Sequence, residues 1–308
     1  MNIVFLDSAT LGTDISLEEF DGFGDVTKYE FTQSKDTLKR VKNADIVITN
    51  KVVISSDIMD KSNIKLICVA ATGTNNVDLE HAKSKNIEVK NVAGYSTGSV
   101  TQLTFSIVLK FMQKLEYYEN YTKEGNWENS EIFTHLDKPF HELEGKKWGI
   151  IGLGTIGKNV AKIAESFGCK VCYYSTSGNN FDTEYIQVGF DELLSTSDII
   201  SIHCPFNEKT ENLISLEELE IMKDKTILLN LGRGGIINES DLATILDSKE
   251  LYCGLDVVTK EPIEADSPLR KIKNSDRLIL TPHIGWASVE ARKRLIKGVI
   301  FNIKEHVL

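Results

Sequence analysis

Three short stretches in the second half of the chain each set a reactive side chain in a loop directly after an apolar run. "LLNLGRGGIIN" carries Arg233 between glycines, "GLDVVTKEP" carries Asp256 and then Glu261, and "LILTPHIGWAS" carries His283 just after Pro282. Taken singly, each has a plain structural reading. An arginine among glycines is solvated, Glu before Pro makes a turn, and a loop histidine packs or hydrogen-bonds. Taken together, they bring a cation, a carboxylate and an imidazole to the strand ends where open α/β sheets bind ligands. The planar fork of arginine matches both oxygens of a substrate carboxylate. Histidine titrates near neutrality, so it can give a proton to a developing alkoxide and take it back in reverse. A carboxylate beside the ring favours the imidazolium and holds it in place. This set suits hydride transfer between a carrier and a small 2-keto or 2-hydroxy acid, and it needs no metal.

A hydride carrier has a matching feature upstream. "GLGTIG" supplies Gly152, Gly154 and Gly157, with Thr155 and Ile156 between them. The pattern is common on its own, but here it follows the strand-like "WGII" and opens the helix-like "KNVAKIAESFG", the context that makes it a dinucleotide fingerprint. Gly152 allows the tight turn, Gly154 admits the pyrophosphate, and Gly157 lets helix pack on strand. The N-terminus of the helix then faces the anion with free N–H groups. A ligand-free turn and a methyltransferase nucleotide fold are the competing readings, and the three charged loops weigh against both. The next strand, "KVCYYSTSGNN", ends in Ser175 and Thr176, where an Asp or Glu would grip the ribose of NAD. Hydroxyls there tolerate a 2′-phosphate, yet no Arg or Lys follows in the loop, and Asp182 and Glu184 lie just beyond. The expectation is weak discrimination with a slight lean to NAD(H), and compatibility with NADP.

The elements that must position these loops come in two series. Residues 1 to about 95 alternate apolar runs ("NIVFLD", "ADIVITN", "IKLICVA", "IEVKNV") with helical spacing, a βαβ rhythm that implies a parallel sheet. Residues 99–125 form one long helical pattern with more apolar content than a single face needs, which suits core packing and, second, a subunit interface. From Lys147, six strand candidates with helical crossovers match a doubly wound dinucleotide-binding domain. "SLEE" from Ser215 has the spacing of a capping box. The fold class expected is α/β, with two Rossmann-like parallel-sheet domains and a cleft between them.

Composition narrows the rest. The chain has 308 residues, 41% hydrophobic and 26% charged, which suits a two-domain protein with sizeable cores. A net charge of −10 with no basic run argues against nucleic acid and anionic membrane as partners. "MNIVFLDSATLG" reads as a first strand and not as a signal peptide, and no run approaches a membrane span, leaving the cytoplasm as the default. The five cysteines read as buried free thiols in a reducing compartment. "CKVC" (169–172) enters a strand, where redox pairs need a helix start, and no second Cys/His pair completes a zinc site.

With these residues in hand, the chain resembles the D-isomer-specific 2-hydroxyacid dehydrogenase family over essentially its whole length. "GLGTIG", "LNLGRGG", "GLDVVTKEP" and "TPHIGWAS" match the motifs of that family in order and spacing. The resemblance implies Arg233 as binder of carboxylate and carbonyl, Glu261 as partner of the histidine, and His283 as acid/base. It also implies Asp256 near the nicotinamide, with Cys204, Pro205 and Thr210, and Leu231 and Gly232 of "LNLGRGG", at the cofactor. It implies a discontinuous substrate domain (1–98 plus 287–308), a cofactor domain (99–286) and a homodimer built on the long helix. "VAATGTNNVDLEHA" and "NVAGYSTGSVTQLTF" resemble the glycerate dehydrogenase, or hydroxypyruvate reductase, branch, and Thr72, Gly73 and Tyr95 are its substrate-side candidates. D-lactate, glyoxylate and phosphoglycerate remain alternative substrates within the family. A dinucleotide-sensing corepressor of the same fold is the alternative outside catalysis.

Overall fold

A computed structural model describes residues 1–307 apart from Asn180 and Thr183. The chain divides into two compact units, Met1–Ser96 with Trp286–Leu308, and Thr97–Gly285. The expected breaks after residues 98 and 286 lie two residues and one residue further along.

The first unit is built on five parallel strands, β1 (Asn2–Phe5), β2 (Asp25–Lys28), β3 (Ile46–Thr49), β4 (Leu66–Val69) and β5 (Glu88–Lys90), in the order β2-β1-β3-β4-β5. Helices α1 (Ser34–Val41), α2 (Ser56–Asp60) and α3 (Leu79–Ser84) make crossovers. The residues of β3 and β4 are buried throughout, as strands covered on both faces must be. β2 was not expected from the sequence. Its "DVTK" is polar and mostly exposed, an edge strand with no apolar run to betray it. The C-terminal helix, Val289–Val307, places Ala291, Leu295, Val299 and Ile303 at four-residue steps into the core with Ile3, Phe5 and Ile48.

The second unit opens with α4 (Thr97–Gln113) and α5 (Leu115–Lys123). They replace the single helix expected over 99–125, because Lys114 takes a left-handed φ of 51° that ends one helix and starts the next. Seven parallel strands follow: β6 (Lys147–Ile151), β7 (Lys170–Tyr174), β8 (Ile186–Gln187), β9 (Ile199–Ile202), β10 (Ile227–Asn230), β11 (Tyr252–Leu255) and β12 (Leu278–Leu280). Their order is β12-β11-β10-β9-β6-β7-β8. The two-residue edge strand β8 is too short to leave a pattern in sequence. α6 (Thr155–Ser166), α7 (Phe190–Thr196), α8 (Leu216–Ile221) and α9 (Glu239–Ser248) flank the sheet, and the last helix of the chain is α10 (Val289–Val307). α8 starts on the expected capping box, with Ser215 N–H donating to Glu218 Oε2 at 2.9 Å. Separate apolar clusters cover the two faces of this sheet.

All five cysteines are free and buried. Burial pushes the Cys169 thiol up to about 11, so the Cys169/Cys172 pair has no reactive thiolate at neutral pH. Among the described residues no helix is long and apolar enough to cross a membrane, and no group of three His, Cys, Asp or Glu side chains converges as a metal site.

Candidate active site

Arg233 follows β10, Asp256 and Glu261 follow β11, and His283 follows β12. These strands are neighbours in the sheet, so the three loops stand side by side at its carboxyl edge. His283 Nδ1 lies 2.7 Å from Glu261 Oε2, and both side chains are partly exposed. If Nδ1 carries the proton given to Glu261, Nε2 is left to exchange a proton with a ligand. His283 sits at φ 53°, a left-handed conformation uncommon for residues other than glycine, which its surroundings must hold.

Asp256 supplies that enforcement. It is 1% exposed. Its Oδ1 accepts from Thr281 Oγ1 (2.6 Å) and Ile284 N–H (2.8 Å), and its Oδ2 from Gly285 N–H (2.7 Å). These bonds bracket His283 on both sides. Three donors with one buried carboxylate make Asp256 a clamp on the His283 loop, a use beyond the place beside the nicotinamide that the resemblance implies. Asp256→Asn keeps the shape but points an NH₂ at one of those donors. We expect a stability loss of about 1–3 kcal/mol from the unsatisfied pair, with lower turnover. Thermal denaturation and steady-state rates check this, and unchanged values in both would refute the clamp.

The Arg233 loop is held through its backbone. Buried Asn230 at the end of β10 receives Gly232 N–H (3.0 Å) and donates to the Arg233 carbonyl (2.8 Å), a fastening not anticipated from sequence. The guanidinium donates to the Gly232 carbonyl at 2.8 Å. Gly234 lets this loop approach the next one closely, since a Cβ there would stand 2.0 Å from the Val258 carbonyl oxygen. Val258 N–H in turn donates to Glu261 Oε1 at 3.3 Å. His203 directly follows β9 at the same edge. Burial pushes its imidazole down to about 4, so it stays neutral near pH 7 and offers no competing acid.

The Gly-rich turn fits a pyrophosphate. Gly152 has φ 93°, and a Cβ on it would press within 2.7 Å of the Cys204 amide nitrogen. A Cβ on Gly157 would meet the Gly152 carbonyl oxygen at 2.4 Å, so the helix–strand approach requires glycine. Around Gly154 a Cβ would find open space, and no side chain caps the start of the 12-residue α6. Exposed Thr155 and partly buried Ile156 follow on the first turn. A cavity of about 530 Å³ opens there, lined by Leu153, Gly154, Thr155, Lys158, Glu184 and Tyr185. Free N–H groups, a bare helix end and room beside them are what a dinucleotide needs.

Ser175 at the end of β7 is 6% exposed, and its Oγ lies 3.5 Å from that of Ser177. Thr176 beside it is half-buried. The sequence shows no cation in this loop, but the structure brings one from elsewhere. Lys158 of α6 reaches Asp182 at 2.8 Å. Cys204 is buried with its thiol pushed up to about 11, which makes it a packing residue. The buried Thr210 hydroxyl donates to the Pro205 carbonyl (2.8 Å) and accepts Asn207 N–H (2.8 Å), knitting the loop after β9. Leu231 is buried in the core against Leu229.

In the first unit, exposed Thr72 donates to the Val92 carbonyl, and its own carbonyl accepts from Asn91 Nδ2 at 2.5 Å, which fixes the turn before Gly73. Tyr95 is only 7% exposed and packs edge-on against Trp286 in the core of that unit. Sequence reading missed Asp7. Its buried carboxylate accepts the N–H groups of Asn50 (2.9 Å), Lys51 (2.7 Å) and Val52 (3.3 Å) and so holds the loop after β3.

Comparison with known proteins identifies the family. The family model described as D-isomer specific 2-hydroxyacid dehydrogenase, NAD binding domain, matches residues 105–285. A hydroxypyruvate reductase of Blautia hydrogenotrophica is 39% identical over 99% of this chain and 96% of its own. A glycerate dehydrogenase of Methylorubrum extorquens is 33% identical over 99% of this chain and 96% of its own. A D-lactate dehydrogenase of Aquifex aeolicus, solved with NAD and lactic acid, superposes with a TM-score of 0.85 at 26% identity, covering 99% of this chain and 95% of its own. The chain belongs to the D-isomer-specific 2-hydroxyacid dehydrogenase family, and it is an oxidoreductase that uses a nicotinamide dinucleotide.

Proposed function

We propose that the enzyme interconverts hydroxypyruvate and D-glycerate. The observation that carries this reading is the His283–Glu261 contact of 2.7 Å beside the Arg233 loop, with full-length relatives named for these two substrates. A nicotinamide dinucleotide held at the Gly152–Gly157 turn would supply the hydride for C2 of the keto acid. Arg233 takes the carboxylate and steadies the carbonyl, because its fork can meet two oxygens at once. His283 Nε2 delivers the proton to the oxygen at C2, and Glu261 stabilises the ring while it is charged. In the first unit, the Thr72–Gly73 turn and Tyr95 are substrate-binding candidates. Purified protein should oxidise NADH or NADPH when hydroxypyruvate is added. Lack of turnover with hydroxypyruvate, glyoxylate and pyruvate alike would reject the reading.

For the cofactor we favour a slight preference for NAD(H): Ser175 in place of an acid admits a 2′-phosphate, but the loop brings no cation of its own and the carboxylates of Asp182 and Glu184 lie nearby. We also propose a homodimer. The segment after α5 exposes Trp127 (52%), Ile132 (65%), Phe133 (88%) and Leu136 (66%), and a Tyr121–His135 stack at 3.7 Å orders it. So much apolar surface on an ordered segment suits a second copy of this chain. Light scattering would give a monomer mass if that is wrong. Five buried free thiols suit a cytoplasmic enzyme.

A further inference from the structure

We propose that Lys158 and Asp182 act together as the determinant of cofactor choice, with Asp182 occupying the ammonium that would otherwise neutralise a ribose 2′-phosphate. The inference rests on the reading of the Gly-rich turn as a dinucleotide site, but not on the identity of the substrate.

Lys158 stands on α6 and Asp182 in the loop after β7, and their ion pair joins the two elements beside which a ribose would lie. Lys158 N–H donates to the Gly154 carbonyl at 2.9 Å, so the lysine sits one turn beyond the phosphate cradle. Gly152 N–H donates to the Tyr174 carbonyl at 3.0 Å, which sets the cradle against the residue preceding Ser175. The Tyr173 ring packs on the α6 side with Val160, Ala161 and Ala164, and its hydroxyl accepts Asp182 N–H at 2.9 Å. Lys158 and Glu184 then line the same cavity beside Gly154.

The two partners are held very differently. The Asp182 side chain is 8% exposed, against 53% for Lys158. Oδ1 of the aspartate accepts Glu184 N–H (2.8 Å) and Tyr185 N–H (3.3 Å), while Oδ2 takes the lysine at 2.8 Å. The lysine ammonium, with the Glu184 N–H next, holds the Asp182 carboxyl below its usual range, so it is ionised at neutral pH. The carboxylate is therefore a fixed fitting and the lysine a long arm resting on it. NAD brings only a hydroxyl, which leaves the pair undisturbed. NADP brings a doubly charged phosphate toward two carboxylates, Asp182 and Glu184, while the nearby cation is already engaged. Without the Asp182 charge, the Lys158 arm becomes available to the phosphate.

Binding without substrate tests this directly. Dissociation constants for NADH and NADPH would be measured by nucleotide fluorescence on the full chain, for wild type, Asp182→Asn and Asp182→Asn/Lys158→Met. Asparagine keeps an oxygen for the Glu184 and Tyr185 N–H groups, so the loop retains its support. The expected result is a shift of the NADPH/NADH affinity ratio toward NADPH by about tenfold in Asp182→Asn, abolished in the double variant. Binding of both nucleotides with an unchanged ratio, or a shift that survives loss of the lysine, would overturn the proposal alone. Failure of both nucleotides to bind wild type would overturn the dinucleotide reading as well.

Discussion

His283→Asn should lower kcat by about 10²- to 10⁴-fold, the usual worth of a positioned acid/base, while leaving the protein about as stable. The second half of this expectation comes from the backbone. Position 283 is held at φ 53° by the bonds of Asp256 to Thr281, Ile284 and Gly285, none of which involves the imidazole. Asparagine, like histidine, is enriched in this left-handed region, so the variant keeps the backbone conformation while it removes the proposed proton carrier. Its amide can still accept or donate a hydrogen bond but cannot exchange a proton near neutral pH. Turnover within threefold of wild type, in a protein with an unchanged melting temperature, would mean that the proton comes from elsewhere. A melting temperature several degrees lower would instead show that the Glu261 contact supports the fold.

Arg233→Ala should reduce kcat/KM by about 2–5 kcal/mol in transition-state terms, with KM carrying much of the change, because the substrate carboxylate loses a bidentate partner in a partly desolvated site. Folding should survive. The loop is fastened by Asn230 through the main chain of Gly232 and Arg233, and those bonds remain when the side chain is cut back. Arg233→Lys should recover only part of the loss, since a single ammonium cannot meet two oxygens in the geometry of the fork. The check is steady-state kinetics with hydroxypyruvate, and an unchanged KM in the alanine variant would remove Arg233 from the carboxylate.

What could be read in the sequence was whatever local chemistry declares itself locally. Gly152, Gly154 and Gly157 announce a turn because strand and helix patterns flank them, and Arg233, Glu261 and His283 stand out because each breaks an apolar run. The capping box at Ser215 was legible for the same reason. Other features depend on where the chain goes afterwards. Lys158 and Asp182 are distant in sequence and meet only because the loop after β7 folds back over α6. The clamp by Asp256 needs β11 and β12 to be neighbours before its carboxylate can reach Ile284 and Gly285. The break at Lys114 was invisible, since apolar residues continue at helical spacing on both sides of it. Strands β2 and β8 lie at sheet edges, where burial on two faces is not required and the pattern fades.

The contact between Gly234 and the Val258 carbonyl has an implication for how new specificities arise. Two main chains in contact act as a gauge block, fixing the separation between Arg233, proposed to grip C1 of a substrate, and the His283–Glu261 pair, proposed to serve C2. Every 2-keto acid shares those two carbons, whatever it carries beyond them. Selection for a different substrate can therefore leave 232–235 and 256–261 untouched and work on the remaining contacts. A bulky residue at 234 would harm every substrate equally, which is the signature of a shared frame and not of a selective pocket.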